Sequence, residues 1–215
     1  MLGPKLAVFE TLVREAEPFL KSFQADKPMV PFLYTDLHDM MKNVMGHFVK
    51  DDVLNQAACV IDINISDDKN LVQAKHVKVG NETKNALRKA SEESATPLDI
   101  LTFKKDCLLA LKTFCAKMKT KSPLSYKLTK ALSFCNPEDI SNSVSVAKKR
   151  LTITIEEFVK KGWVGGIEGD RLEREFATLF SKVAFVETRK TFSRDERLDL
   201  FWKKKLSVIF KVRLN

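Results

Sequence analysis

Two of the three histidines lie among aspartates in the segment PFLYTDLHDMMKNVMGHFVKDD, residues 31–52. Imidazole and carboxylate groups can bind a metal ion or transfer protons, so the residue types allow either chemistry. His38 and His47 are nine residues apart, and each helical residue turns about 100°, so on one helix they point to opposite faces. His47 and Asp51 are four apart, but two ligands are too few for a zinc site. We expect solvated helix polarity here rather than a metal or acid–base site.

A second polar segment, DINISDDKNLVQ from Asp62 to Gln73, echoes a calcium-binding loop. Oxygen-bearing side chains alternate along it, as the ligands of such a loop do. The loop normally needs glycine at its sixth position and glutamate at its twelfth, where this chain has Asp67 and Gln73. The segment therefore predicts a polar turn after an extended stretch.

No catalytic or cofactor signature is complete. Cys107 and Cys115 fall on an apolar helical stripe without a histidine arranged beside them, which favours buried core thiols over a nucleophile. The glycine-rich segment GWVGGIEGD, residues 162–170, follows a predicted helix rather than a strand. Its glycines are not in the G-x-G-x-x-G order of a dinucleotide-binding turn. We predict no catalytic residues, no metal and no small-molecule cofactor.

Basic residues cluster along two neighbouring predicted helices, their link and one later helix. Lysine needs only to reach a phosphate to bind nucleic acid, and such contacts carry no sequence information. The alternative is a solvated cationic surface without a ligand. The candidate nucleic-acid contacts are Lys104, Lys105, Lys112, Lys117, Lys119, Lys121, Lys127, Lys130, Lys148, Lys149 and Arg150.

The composition is that of a basic globular protein. The chain has 215 residues, 30% charged and 44% hydrophobic, with a formal net charge of +9 that favours polyanionic partners. Its four cysteines form no C-x-x-C pair, and the amphipathic start carries acidic residues, unlike a signal peptide. No apolar run reaches the roughly 18 residues of a membrane span. We expect an intracellular protein, nuclear or cytoplasmic, with free thiols and no membrane contact.

The elements that must position these residues are mostly helical. Apolar residues recur every three or four positions from about Lys5 to Phe23, again after Pro31, and through most of the later chain. A capping residue before proline marks three helix starts, at Thr96, Ser122 and Asn136. We predict a mainly α single domain over residues 1–215 with about six to eight helices.

Two segments carry a competing strand signal. Apolar residues alternate with polar ones in VIDINIS and HVKVG, which predicts a small β-hairpin or two extended segments near residues 60–80. LTITI, residues 151–155, is β-branched, yet the surrounding apolar residues step by three or four. We predict that Leu151 and Ile155 lie on the buried face of a helix that begins near Pro137.

The order of these segments resembles a known family. EPFLKSFQADKPMVPFLYTDLHDMMKNVMGHFVKDDVL is followed by IDINISDDKNLVQAKHVKVGNETKNAL, by FKKDCLLALKTFCAKMKTKSPLSYKLTKALSFCNPEDI and by RLDLFWKKKL. This arrangement, from roughly Glu15 to Leu206, resembles the region between the catalytic acidic residues of hAT-like transposases and of transposon-derived animal proteins. Its motifs are patterns of apolar and charged residues rather than invariant chemical signatures.

The resemblance implies a helical insertion without the catalytic core. The family's acidic metal ligands would fall before Met1 and after Asn215, so no catalytic carboxylate is carried onto this sequence. A tryptophan of the family's insertion has a DNA role, but neither Trp163 nor Trp202 aligns with it. We therefore expect a non-catalytic, transposon-derived helical protein that binds DNA non-specifically or binds a protein partner, including itself. The alternatives are a pure protein-interaction module and a fragment of a metal-dependent DNA transposase.

Overall fold

The computed structural model describes the backbone of residues 1–181 and 191–210, and the side chains of residues 1–179 and 191–204. This part of the chain is mainly helical, as predicted. Its ten α-helices are α1 Leu2–Phe23, α2 Val30–Met45, α3 Asp51–Gln56, α4 Asn81–Glu93, α5 Pro97–Lys121, α6 Lys127–Ala131, α7 Pro137–Asn142, α8 Val144–Lys160, α9 Gly166–Ser181 and α10 Leu198–Phe210. Five short 3-10 turns lie between them.

The chain divides into two compact units. Unit 1 contains Met1–Gln24 and Thr35–Leu124, and unit 2 contains Ala25–Tyr34 and Ser125–Asn215. The expectation of a single domain stays a prediction. The helix count exceeds six to eight because the region after Ser122 forms short helices separated by turns.

Unit 1 buries the apolar stripe of α5 and that of residues 35–45 of α2. The stripe of α5 consists of Phe103, Cys107, Leu111 and Cys115, all buried. Thr96 opens this helix with a reciprocal capping box, in which its side chain and that of Asp99 each accept a backbone N–H. The predicted helix start at Thr96 is confirmed.

The predicted β-hairpin near residues 60–80 is not formed. The described chain there contains 3-10 turns at Val60–Asp62, Asp68–Asn70 and Ala74–His76. A single antiparallel bridge instead joins Val49 to Leu71. The alternation nevertheless predicted correctly which side chains are buried. Ile63, Ile65, Val77 and Val79 lie in the core of unit 1. An alternating segment can bury its apolar residues without pairing with a neighbouring strand.

Unit 2 packs short helices around α8. Ile140, Ala147 and Leu179 form a buried cluster, against which Trp202 packs. The indole Nε1 of Trp202 donates to the carbonyl of Cys135 at 2.9 Å. The segment 25–34 is tied to this unit as well, because the ammonium of Lys27 donates to the carbonyl of Asp195 at 2.9 Å.

LTITI is helical, as the apolar period predicted. Leu151 and Ile155 lie on the buried side of α8. The predicted start near Pro137 is wrong for this helix, because α7 ends at Asn142 and α8 begins with Ser143 as its N-cap. Ser143 has an extended backbone, and its side chain accepts from the N–H of Val146. The apolar period continues across the break because both helices face one core.

Candidate nucleic-acid interface

The six predicted lysines of helix α5 divide into exposed and half-buried side chains. Lys105, Lys117 and Lys121 are exposed. Lys117 and Lys121 are one turn apart, so their ammonium groups extend from the same face. No ion pair or hydrogen bond of these three ammonium groups with another described residue is present. They are available to a phosphate backbone.

The other lysines of α5 hold the segment 62–76 of unit 1. Lys104 donates to the carbonyl of Lys75 at 2.7 Å, and Lys119 donates to the carbonyl of Ile63 at 2.5 Å. Lys112 pairs with the Asp68 carboxylate at 3.4 Å. These three side chains are half-buried, so their first role is structural.

The same contacts explain the calcium-like segment. Asn64 and Asp67 use their side-chain oxygens to accept the backbone N–H groups of Ser66 and Lys69. Lysine ammonium groups already contact the Asp68 carboxylate and the Ile63 carbonyl. Asn and Asp side chains that satisfy their own backbone form polar turns. The interpretation of this segment as a polar turn fits these contacts.

Unit 2 presents a second basic surface on two packed helices. Helix α6 lies against α8, and Lys127, Lys130, Lys148 and Lys149 are exposed on them. Lys130 also places its ammonium 5.1 Å from the centre of the Tyr34 ring. No acidic residue occurs in α6 or in the first three turns of α8, residues 144–155. The turns that carry these four lysines therefore have no carboxylate of their own.

Arg150 belongs to the interior of unit 2 rather than to this surface. Its Nη1 donates to Ser133 Oγ at 2.7 Å and to the carboxylate of Asp139. The Arg150 and Asp139 side chains are 18% and 19% exposed. A guanidinium engaged in this way is not free to contact phosphate, so Arg150 stabilises the fold.

His38 and His47 lie in different structural environments. Helix α2 ends at Met45, so His47 lies in the turn beyond it, and the assumption that both histidines share one helix is wrong. His47 Nε2 is 2.5 Å from Glu15 Oε1, and its Nδ1 contacts the carbonyl of Lys78. His38 contacts Asp39 at 3.3 Å.

The contacts of His47 restrict its chemistry. Both of its ring nitrogens face oxygen acceptors, and a metal ion needs a nitrogen lone pair that is free. The residue borders an open cleft of about 480 Å³ that is also lined by Lys42, Asn43 and Asp51. Within the described side chains, no three His, Cys, Asp or Glu residues are grouped as metal ligands. The absence of a metal site stays a prediction, and the contacts of His47 are the physical reason for it.

Three of the four thiols are poor nucleophiles. Burial raises the pKa of Cys107 to about 11, that of Cys115 to about 12 and that of Cys135 to about 11. The thiolate is the reactive form of cysteine, so these side chains stay protonated near neutral pH. Their environment is that of core residues.

Comparisons with known proteins leave the family undecided. No family model, curated protein or solved structure matches the chain. None of the helices in residues 1–181 and 191–210 combines the length and the apolar character needed to cross a bilayer.

One further sequence signal is an acid-free stretch around the middle lysines. No Asp or Glu occurs between Asp106 and Glu138. This acid-free stretch contains Lys117, Lys121, Lys127 and Lys130, which are exposed. The same stretch contains Lys112 and Lys119, which are half-buried, so counting acids as well as bases would not have separated the exposed lysines from the structural ones. The structural roles of Lys119 and Arg150 depend on distant partners, and no local pattern reveals those partners.

Proposed function

We propose that the protein is a non-catalytic, transposon-derived helical protein that binds nucleic acid through exposed lysines. The observation that carries the proposal is the set of exposed lysines without acidic partners among the described residues. In unit 1 these are Lys105, Lys117 and Lys121, and in unit 2 they are Lys127, Lys130, Lys148 and Lys149. The transposon origin rests on the resemblance of the segment order to hAT-like transposases.

Binding by these lysines would be insensitive to base sequence. Each ammonium is a point charge that contacts phosphate, whereas base reading commonly uses the bidentate fork of arginine or the amide of Asn or Gln. The one arginine of the candidate set, Arg150, is engaged by Ser133 and Asp139. We therefore expect equal affinity for unrelated duplexes of equal length.

The non-catalytic part of the proposal rests on the state of the candidate reactive groups. His47 has acceptors at both ring nitrogens. Burial raises the pKa values of Cys107, Cys115 and Cys135. Neither group offers the paired nucleophile and base that covalent catalysis uses.

The salt dependence of binding tests the proposal. Fluorescence anisotropy with two unrelated duplexes should give log affinity that falls linearly with log salt, by about 0.9 per neutralised phosphate. The pair Lys117→Gln and Lys121→Gln should reduce this slope by up to about 1.8, the value for two lost phosphate contacts. Lys148→Gln with Lys149→Gln makes the same test in unit 2.

A charge-matched control comes from the same helix. Lys104→Gln with Lys112→Gln also removes two charges from α5, but these two side chains already contact the Lys75 carbonyl and the Asp68 carboxylate. This control should leave the slope nearly unchanged. Absence of binding at low salt would exclude nucleic-acid binding, and equal slopes for the control and both exposed pairs would show that these lysines do not make the contacts.

Binding of a protein partner is the second candidate, and exposed apolar side chains favour it. Trp163 is 67% exposed in the turn between α8 and α9, and Ile167 is 81% exposed in the first turn of α9. Large aromatic residues are enriched among the side chains that dominate protein interfaces. If DNA binding fails at low salt, Trp163→Ser is the variant that should abolish binding of a protein partner.

A further inference from the structure

Helix α1 has a second apolar stripe on the side that faces solvent. Its inner side includes Val8 and Leu12, which are half-buried, and the helix packs against α4. On the outer side apolar residues alternate four and three positions apart along the whole helix: Leu2, Leu6, Phe9, Val13, Ala16, Leu20 and Phe23. Five of them are large and exposed by 53–73%: Leu2, Leu6, Phe9, Val13 and Leu20.

The spacing of the outer stripe is that of a coiled-coil seam. A four–three alternation has a mean period of 3.5 residues, which keeps one apolar seam in contact with a partner helix. A helix that only packs on its own unit needs one apolar side, which α1 already has. The 22 residues of α1 span about 33 Å, enough for three heptads.

The charges beside the stripe favour a second copy in parallel orientation. With Leu6, Val13 and Leu20 at heptad position a, Lys5 takes position g and Glu10 takes position e of the next heptad. In a parallel coiled coil, g contacts e of the partner, so Lys5 of each copy meets Glu10 of the other. An antiparallel pair would bring the two e sides together and oppose glutamates, since position e also holds Glu17.

We propose that the outer side of α1 is a self-association surface that pairs with α1 of a second copy in a parallel two-fold dimer. Leu6, Phe9 and Val13 form its centre. Pro18 lies inside the helix and cannot donate its backbone hydrogen bond, so the tightest contacts precede it. The interface is isologous, because the same stripe contacts itself across the two-fold axis.

Sedimentation velocity of the full chain tests the association. Wild type should pass from monomer to dimer between about 1 and 200 μM, a range that corresponds to modest affinity. Phe9→Lys should weaken association at least about 100-fold, since it places a charge at the centre of the seam. Leu109→Lys is the matched control, because Leu109 is 65% exposed on α5 and lies outside the stripe.

At a concentration where both variants are monomeric, circular dichroism should show the same thermal midpoint for Phe9→Lys and Leu109→Lys, which separates loss of the interface from loss of the fold. A monomer throughout this concentration range, or a dimer that Phe9→Lys leaves intact, would overturn the proposal. Neither residue belongs to the lysine sets proposed to bind nucleic acid. Self-association and DNA binding therefore succeed or fail independently.

Orientation is tested by charge and by cross-linking. Lys5→Glu should weaken the dimer several-fold, and adding Glu10→Lys should restore part of the loss, because the exchanged pair again has opposite charges. Leu6→Cys should form an interchain disulfide on oxidation, since equivalent a positions meet in a parallel dimer. A dimer that does not cross-link through Leu6→Cys, or that Lys5→Glu fails to weaken, would refute the parallel arrangement.

Discussion

Arg150 provides the sharpest test of whether a predicted basic residue supports the fold or binds a ligand. Its guanidinium donates to Ser133 and to the carboxylate of Asp139, and both charged side chains are less than one-fifth exposed. Removing one member of a buried ion pair typically costs about 3–5 kcal/mol, because the other charge remains without a partner. The residual exposure of both groups places the expected cost of Arg150→Met at the lower end, about 3 kcal/mol.

Thermal and urea unfolding measure this cost. For a chain of this size, about 3 kcal/mol corresponds to a fall of roughly 6–12 °C in the midpoint. Lys149→Met, at the exposed neighbouring position, removes the same charge and should change stability by no more than about 0.5 kcal/mol. In a double-mutant cycle with Asp139→Asn, the double variant should lose less stability than the sum of the two single losses, because both substitutions break the same contact.

The reasoning would be refuted if Arg150→Met were no more destabilising than Lys149→Met. It would also be refuted if Arg150→Met lowered the salt slope of DNA binding while leaving stability unchanged. Either result would mean that the guanidinium spends its time in solvent, where it can reach phosphate.

Two further predictions concern α8 and the histidines. Leu151→Asp should destabilise strongly, because it buries an unpaired charge, while Thr152→Asp on the exposed side should cost far less in urea unfolding; equal costs would contradict the assigned face. His38 and His47 should not bind zinc, since they lie in separate settings and His47 has acceptors at both nitrogens. Tight stoichiometric zinc binding in histidine NMR spectra, lost in either His→Ala variant, would contradict this.

The helical character of the chain could be predicted because it follows from local periodicity. The stripe through Phe103, Leu111 and Cys115 gave helix α5 and its buried side, and the cap at Thr96 gave its start. The same cap-and-proline pattern at Ser122 leads only to a 3-10 turn, Pro123–Ser125. Capping groups satisfy the first N–H groups of any helical turn, but the length of a helix depends on what it can pack against.

From the sequence, the candidate site could be predicted only as a group of basic residues, without the contacts that each side chain makes. Lys117 and Lys119 are two residues apart on one helix and are identical in type, yet one is exposed and the other donates to the Ile63 carbonyl. That difference depends on a partner that lies far away in the sequence. His47 shows the same limit, because Glu15 and Lys78 approach it from distant segments.

The sequence by itself determined the class of fold, the positive charge and the apolar faces, including the continuous period through LTITI, because these properties depend on composition and on spacing within one element. The alternation of Ile63 and Ile65 identified their burial, but only the tertiary structure decided that they form turns rather than a hairpin. Strand pairing requires a partner at the right distance, and the backbone here pairs only at Val49 and Leu71. The tertiary structure also decided which basic groups bind the protein itself, since a hydrogen bond depends on where two distant segments meet.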